Sequence, residues 1–352
     1  MQPVSLCIVN HNGLGHLRRT LPAISALGEC VAEVLLLDNA STDGSREYFA
    51  GQLARGRVVQ LSENRSPGLA RSAGFSAATT DLVLFMDNDI ILNPQTVALL
   101  VQAVMHEEAC VIAMPRVVLT RRPDRIQYEG AHCHWLGHMI LRHEDAPLTR
   151  QDEAPVEVDS TVSACFLAVK SRWPEPLFFD PGYRFYYEDH DVGVRARLAG
   201  RRLLAVPRAV VLHGEGTPNL SLRPGGSYAP RRVRTLIEGR WRHLLKNMSS
   251  RTLLLLSPAL LAYEAAQFGA VVLKGWLPHW TEACRYTWQS WPQLRRERRR
   301  VQAARRIPDR ELLRGGPLPF KAELTRNAAA RAALRLCNAV FGCYWYLVRR
   351  LL

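Results

Sequence analysis

Residues 82–93, LVLFMDNDIILN, constrain the fold more than any other stretch of the chain. Leu82 to Met86 are continuously apolar, as in a strand covered on both faces of a sheet. The run stops at Asp87-Asn88-Asp89, and apolar character resumes at Ile90-Ile91-Leu92. Two carboxylates at the mouth of a buried strand are costly unless something compensates their charge. Spaced i and i+2, they leave the strand on one side and can face a single object. Hard oxygen ligands of this kind suit Mg²⁺ or Mn²⁺ carrying a phosphorylated substrate. A polar strand terminus, followed by a helix start at Asn93-Pro94, accounts for the same residues without a metal.

The preceding residues set this strand in a sheet. Val4 to Val9 reads as a short strand ending in a turn at Asn10-His11-Asn12-Gly13. Leu17, Leu21, Ile24 and Leu27 then recur at helical spacing, and Val31 to Leu37 is a second strand that stops at DNASTDG, residues 38–44. Strand, helix and strand in such close succession predict a parallel sheet. Ligands in such sheets bind beyond the carboxyl ends of the strands. The polar clusters at 10–13, 38–44 and 87–89 are therefore expected to converge on one crevice. Between the last two lies NRSPGLARSAG, residues 64–74. Its Pro-Gly opens a turn, and its small residues let the following helix approach the sheet closely. Backbone amides at that helix start, with Arg65 or Arg71, would suit a phosphate; an ordinary loop before a helix is the alternative.

A second polar cluster stands far along the chain. Tyr183, Phe185, Tyr186 and Tyr187 precede Glu188-Asp189-His190-Asp191, and Val192 to Leu198 has helical character. Three carboxylates in four positions repel one another, although a helix start favours anions. Val206-Pro207, then Ala209 to Leu212, reads as a short strand closed by His213-Gly214-Glu215-Gly216. His132, Cys133, His134 and His138 are zinc-type residues, but no further ligand motif lies nearby, and Gly130, Trp135 and Gly137 fit a β-turn-β excursion.

Taken together, DNASTDGS, the AR-x-x-G segment, LFMDNDI and the order FD…YYED-x-D…R…AG…VP…H resemble bacterial inverting GT-A-type glycosyltransferases of family 2. The likeness is to the rhamnosyl- and galactosyltransferase kind and covers residues 4–247. It implies an α/β GT-A fold, a Rossmann-like nucleotide-sugar-binding mixed sheet with flanking helices. By the same resemblance Asn10, Asp38, Asp43, Arg71 and Asp87 bind the nucleotide sugar, with Asp38 at the nucleobase. Asp87, Asp89 and His213 hold a divalent metal, Mn²⁺ or Mg²⁺. Asp189 is the general base, shaped by Glu188 and Asp191, and Trp135 is a sugar-stacking platform for the acceptor. The chain departs from the family at Ser72, where Asn is usual. The implied reaction moves a sugar from a nucleoside diphosphate to a hydroxyl of a glycan or lipid-linked acceptor. A single base opposite the leaving group gives inversion.

Charge divides the chain. Residues 1–220 hold 21 Lys and Arg against 25 Asp and Glu, whereas residues 221–352 hold 25 against 7. We therefore expect a GT-A domain over residues 1–218 and a basic, amphipathic helical membrane-docking region over residues 219–352. Residues 253–273 are apolar but carry Pro258, Glu264 and Gln267, which favours an interfacial helix or helix pair over a spanning one. The run RRERRR, residues 295–300, and Tyr344-Trp345-Tyr346 before Arg349-Arg350 fit an anionic membrane surface. A packed helical subdomain with a solvated charged face is the alternative. Leu-rich faces argue against nucleic acid.

The eight cysteines include no CxxC pair, and several sit in apolar runs, which suggests a reducing compartment. The N-terminus lacks the pattern of a signal peptide. The expected location is the cytoplasm, peripherally at the inner face of the plasma membrane. Rival readings differ in specific residues. A processive polysaccharide synthase would need QxxRW at residues 237–241, where Ile237 replaces Gln. A nucleotidyltransferase would need a GxGxR-type loop where Asn10-His11-Asn12-Gly13 stands. A catalytically silent membrane adaptor on the same fold would release no nucleoside diphosphate from a donor mixture.

Overall fold

Alternation of apolar strands and amphipathic helices builds the front of the molecule. The computed structural model describes residues 2–148, 154–214, 230–318 and 328–352, so Glu215 and Gly216 lie outside the described residues. It divides into two units, Met1–Ala131 with Leu141–Ala229, and His132–Ile140 with Pro230–Leu352.

In the first unit the chain runs β1 (Val4–Asn10), α1 (Leu14–Ser25), β2 (Glu33–Asp38), α2 (Ser45–Ala50), β3 (Gly56–Gln60), α3 (Pro67–Ala77) and β4 (Leu82–Asp87). β1 pairs in parallel with β2 and β4, and β2 with β3. The register sets Asn10 beside Asp38 and Val9 beside Asp87, so the polar strand ends share one edge of the sheet. α3 lies close on the sheet at Gly74, where a Cβ would come within 2.6 Å of the Leu37 side chain. Ser66 caps this helix by accepting from the Leu69 N–H.

The chain continues through β5 (Ile90–Ile91), α4 (Pro94–His106), β6 (Cys110–Leu119) and β7 (Arg122–Tyr128). Asn93 caps α4, its Oδ1 accepting from Thr96 N at 2.9 Å, so the cap coexists with the two carboxylates before it. β8 (Ala131–His134) and β9 (Met139–Leu141) leave for the second unit's sheet. β10 (Val156–Val158), β11 (Cys165–Val169), α5 (Glu188–Leu198) and β12 (Arg202–His213) complete the first. The sheet order is β10-β12-β6-β11-β4-β1-β2-β3, with β5 on β12 and β7 on β6. β11 is antiparallel to β4 and β6, which makes the sheet mixed. Phe75, Phe85, Phe166 and Phe178 stack in its core.

β12 takes in Val206-Pro207 and Ala209 to Leu212, as expected, but starts earlier, at Arg202. It runs through Pro207 because its register with β6 shifts between Val206 and Val210, and a bulge tolerates a residue with no N–H. α5 begins at Glu188, so the three carboxylates occupy its first turn.

The second unit is mainly helical: α6 (Pro230–Asn247), α7 (Ser250–Leu273), α8 (Leu277–Gln289), α9 (Trp291–Ala304), α10 (Asp309–Leu312) and α11 (Ala328–Val348). β13 (Leu313–Arg314) joins β8 and β9 in a three-stranded sheet. α7 is one continuous helix and not a helix pair. Pro258 leaves Leu254 O without its helical N–H, and the Ser257 hydroxyl donates to that carbonyl at 2.8 Å. Glu264 pairs with Arg240, whose guanidinium lies 4.3 Å over the Tyr263 ring. By length and composition α7 could cross a membrane, and 17% of its apolar window is buried. The arginine run on α9 is partly structural. Arg298 donates to Leu245 O and Met248 O at the end of α6, and Arg300 pairs with Glu297.

Candidate active site

Asp87 ends β4, and Asp89 follows it two residues on. β12 pairs with β5 through His213 and Ile90, and Gly214 N donates to Asp89 O at 2.8 Å. This brings His213 to the acids: ligand atoms of Asp87, Asp89 and His213 all lie within 4.8 Å of one another. His213 Nε2 is 3.4 Å from Asp89 Oδ1, and its Nδ1 is 2.8 Å from Gln127 Oε1. An amide oxygen accepts from Nδ1–H, which leaves Nε2 facing Asp89. Two carboxylates and one imidazole fit Mn²⁺ or Mg²⁺ by donor chemistry.

Arg71 faces inward towards the acids. It is buried on α3 and donates to Asp87 Oδ1 at 2.5 Å and to Ser163 O at 3.0 Å. Its guanidinium also lies 5.9 Å from the Phe179 ring centre. Its Nη2 makes both hydrogen bonds, one of them to Asp87. Burial pushes the Asp87 carboxyl up, Arg71 opposes that, and Asp89 adds to it. Ser72, one residue on, accepts from Phe179 N at 3.1 Å.

Asn10, Asp38 and Asp43 brace loops. Asn10 Nδ2 lies 3.3 Å from Asp38 Oδ1, 3.1 Å from Ser41 Oγ and 2.9 Å from Ser45 Oγ. Its Oδ1 accepts from Asn88 Nδ2 at 2.8 Å. A Cβ at Gly13 would fall 2.0 Å from that Asn88 nitrogen, so only glycine lets the turn after β1 close over the pair. Asp38 is fully buried and accepts from Ser41 N at 3.0 Å. Asp43 accepts from Leu14 N and Ser45 N. Burial works against its charge, but hydrogen bonds from Ser45 and Leu14 outweigh it and hold the carboxyl below its ordinary range. Asn39 ties in the next loop, donating to Arg65 O at 2.6 Å and accepting from Arg65 N at 2.8 Å.

The acidic cluster opens α5 behind two left-handed residues, Tyr186 (φ 64°) and Tyr187 (φ 65°). Asp189 accepts from Ser163 N at 3.0 Å and from its neighbour His190 N at 2.8 Å. Burial and the charge of Asp189 push Glu188 up to about 8. Asp189 is also pushed up, by burial, against the pull of the His190 N–H, Arg71 and Ser163. Arg71 and Asp87 act on Glu188 as well, so this pair and the metal-competent triad share one electrostatic field. Asp191 has another task. It accepts from Arg195 Nε at 2.8 Å and from the Tyr183 hydroxyl at 3.2 Å, and Arg195 in turn binds Glu175 and the Leu177 and Phe178 carbonyls.

Trp135 is not an open platform. It lies in the second unit, 1% exposed, with Phe341, Tyr344 and Trp345 ring centres at 6.0, 6.1 and 5.5 Å. Its sequence setting between two glycines suggested a turn tip; the aromatic end of α11 covers it. Gln127, Asn88, Asn39 and Ser163 were missed, because amides and backbone groups that orient others carry no spacing signal.

Residues 5–162 match the family described as Glycosyl transferase family 2. The chain carries a family 2 glycosyltransferase domain. Among curated relatives, the N-acetylglucosaminyl-diphospho-decaprenol L-rhamnosyltransferase of Mycobacterium tuberculosis is 28% identical over 225 residues, covering 56% of this chain and 71% of that protein. An uncharacterized glycosyltransferase of Nostoc sp. is 29% identical over 102 residues, 28% of this chain and only 32% of its own length. The fold of the glycosyltransferase domain recurs in GalNAc-T7, solved with UDP, GalNAc and Mn²⁺, at a TM-score of 0.55 and 17% identity over 72% of this chain and 49% of that one. It recurs also in residues 1–349 of Staphylococcus aureus TarS, at 0.52 and 15% over 86% and 87%. These neighbours share the GT-A architecture, and the mixed sheet with flanking helices belongs to it.

Proposed function

We propose that this protein is an inverting glycosyltransferase moving a sugar from a nucleoside-diphosphate donor to a hydroxyl of a glycan or lipid-linked acceptor. The observation that carries the reading is the convergence of Asp87, Asp89 and His213 with the buried Glu188–Asp189 pair at one sheet edge. Oxygens of Asp87 and Asp89 and Nε2 of His213 would hold a divalent metal, Mn²⁺ or Mg²⁺. When bound, the metal stabilises negative charge on the departing diphosphate as a Lewis acid.

Arg71 opposes the protonation of Asp87 that burial favours, and Gln127 orients the ring of His213 through Nδ1. Asp189 receives the acceptor's proton, a contribution of roughly 10²–10⁴-fold. Two backbone N–H groups fix its carboxylate, from Ser163 and His190. Burial and the charge of Asp189 favour the protonated form of Glu188, whereas the His190 and Ser163 N–H groups and Arg71 favour the charged form of Asp189. One base on one face gives a single displacement with inversion.

The second unit supports a peripheral membrane-docking role at the inner face of the plasma membrane. α7 exposes Leu254, Leu261, Val272 and Leu273, and α11 exposes Leu336, Val340 and Leu347. The two helices are joined by the Tyr344 hydroxyl, which donates to Leu255 O at 2.5 Å. The mycobacterial relative carries diphospho-decaprenol in its name, consistent with a lipid-linked acceptor for this chain too.

A panel of nucleotide sugars tests the reaction, with diphosphate release as the readout and NMR for the anomeric configuration of the product. Turnover should vanish in EDTA, return with Mn²⁺ or Mg²⁺, and be absent in Asp89→Asn. Full turnover in EDTA, or a product of retained configuration, would overturn the reading.

A further inference from the structure

A cavity of about 330 Å³ in the second unit is lined by Arg310, Arg314, Arg349 and Arg350, with Trp345 and Gly315 among its other walls. The arginines come from three separate places: α10, β13 and the single helical turn after α11. Among the described residues that line it there is no Asp or Glu. The nearby Asp309 carboxylate is engaged by Arg305 and by Ser249 N. Cations after α11 complement the end of that helix, which accounts for Arg349 and Arg350. It does not account for Arg310 and Arg314, brought to the same cavity from elsewhere in the chain.

The cavity is held in shape. Trp345 is buried, stacked on Trp135 at 5.5 Å and 15°. Gly315 lies so close to the indole that a Cβ there would sit 2.6 Å from it. Arg349 and Arg350 both lie over the Tyr346 ring, at 5.0 and 5.3 Å, and Arg350 donates to the Tyr346 hydroxyl at 3.3 Å. Two guanidinium groups are thereby arrayed on an aromatic face. The same end of the chain exposes Leu347 and Leu351. Guanidinium forks match phosphate oxygens in pairs, and an apolar margin beside them suits an acyl or prenyl chain.

We propose that this cavity binds a phosphate or diphosphate group, with the headgroup of a membrane lipid as its source. The inference rests on the membrane-docking reading of the second unit, and a soluble diphosphate offers the same chemistry.

The test uses the full-length protein, inorganic pyrophosphate by calorimetry, and flotation with vesicles of phosphatidylcholine alone or with phosphatidic acid. Wild type should bind pyrophosphate and float with the anionic vesicles. Replacing Arg314, Arg349 and Arg350 together by Gln should weaken both by about 100-fold, from the known contribution of basic residues near an anionic surface. The same three replaced by Lys should keep most vesicle binding yet lose pyrophosphate affinity, because ammonium groups lack the paired fork. Pyrophosphate binding equal in wild type and the Gln variant would overturn the site, even if vesicle binding persisted and the docking reading stood. Pyrophosphate binding that depends on these arginines, with no flotation of wild type, would keep the site, assign it to a soluble anion and overturn the docking reading.

Discussion

The guanidinium of Arg71, 1% exposed, sits 2.5 Å from Oδ1 of Asp87 and serves that carboxylate alone among the acids it bonds. Burial and the neighbouring Asp89 both favour the protonated form of Asp87, and Arg71 opposes them. Arg71→Met should therefore raise the pH needed for Mn²⁺ binding, and should lower affinity at neutral pH. Loss of the free Mn²⁺ electron paramagnetic resonance signal on titration measures this directly. Unchanged affinity across pH 6–8 would separate Arg71 from the metal site.

Gln127 should act through the ring of His213. Gln127→Leu removes the acceptor for Nδ1–H and lets the imidazole settle in either tautomer. Partners of this kind typically affect metal affinity by about 10–100-fold. Gln127→Glu preserves the acceptor and should retain most of it. Nitrogen-15 NMR of the histidine ring would report the tautomer independently of turnover.

Asp189 and Asp191 should separate chemistry from stability. Asp189→Asn should reduce turnover by at least the roughly 10²-fold of a lost general base, with donor affinity little changed. Asp191→Asn breaks a buried pair with Arg195 and should destabilise the fold by about 3–5 kcal/mol. Turnover and urea unfolding on both variants distinguish the roles. The reverse pattern would move the base to Asp191.

Glu188 gives the fold a pH dependence of known sign. Its carboxyl is pushed from an ordinary 4.5 up to about 8, so the native state holds the proton more tightly than the unfolded chain does. Its contribution to stability is greatest below pH 4.5 and is lost as pH rises through about 8. Urea midpoints of wild type should fall over that interval, and those of Glu188→Gln should fall less. Parallel profiles would place the titration elsewhere.

Salt should weaken vesicle binding by the second unit without abolishing it, because screening removes only the electrostatic part. Arg295, Arg296 and Arg299 are exposed, whereas Arg298 is engaged at the end of α6. Changing those three to Gln should lower binding at low salt. Leu261→Ser with Leu347→Ser should lower what remains at high salt. Equal flotation with neutral and anionic vesicles would exclude the cationic contribution.

The sheet was legible because its strands are buried on both faces and stop at polar residues. The convergence of Asn10, Asp38 and Asp87 on one edge follows from that alone. Less legible was how each polar residue divides its hydrogen bonds. Arg71 stands in a small-residue helix as a phosphate ligand would, and its bond to Asp87 is visible only in the folded chain. Trp135 looked exposed because its partners lie some two hundred residues further along, on α11. Pro258 suggested an interruption that the hydroxyl of Ser257 repairs locally.

Tyr186 and Tyr187 hold left-handed backbone angles immediately before the acidic pair, a conformation that bulky residues adopt at a cost of about 1–3 kcal/mol each. Asn12 and Ala40 do the same in the loops after β1 and β2. Glycine at any of these positions would relax the chain. Laboratory evolution for heat resistance alone should therefore accumulate glycines in these loops and trade away turnover as the melting temperature climbs.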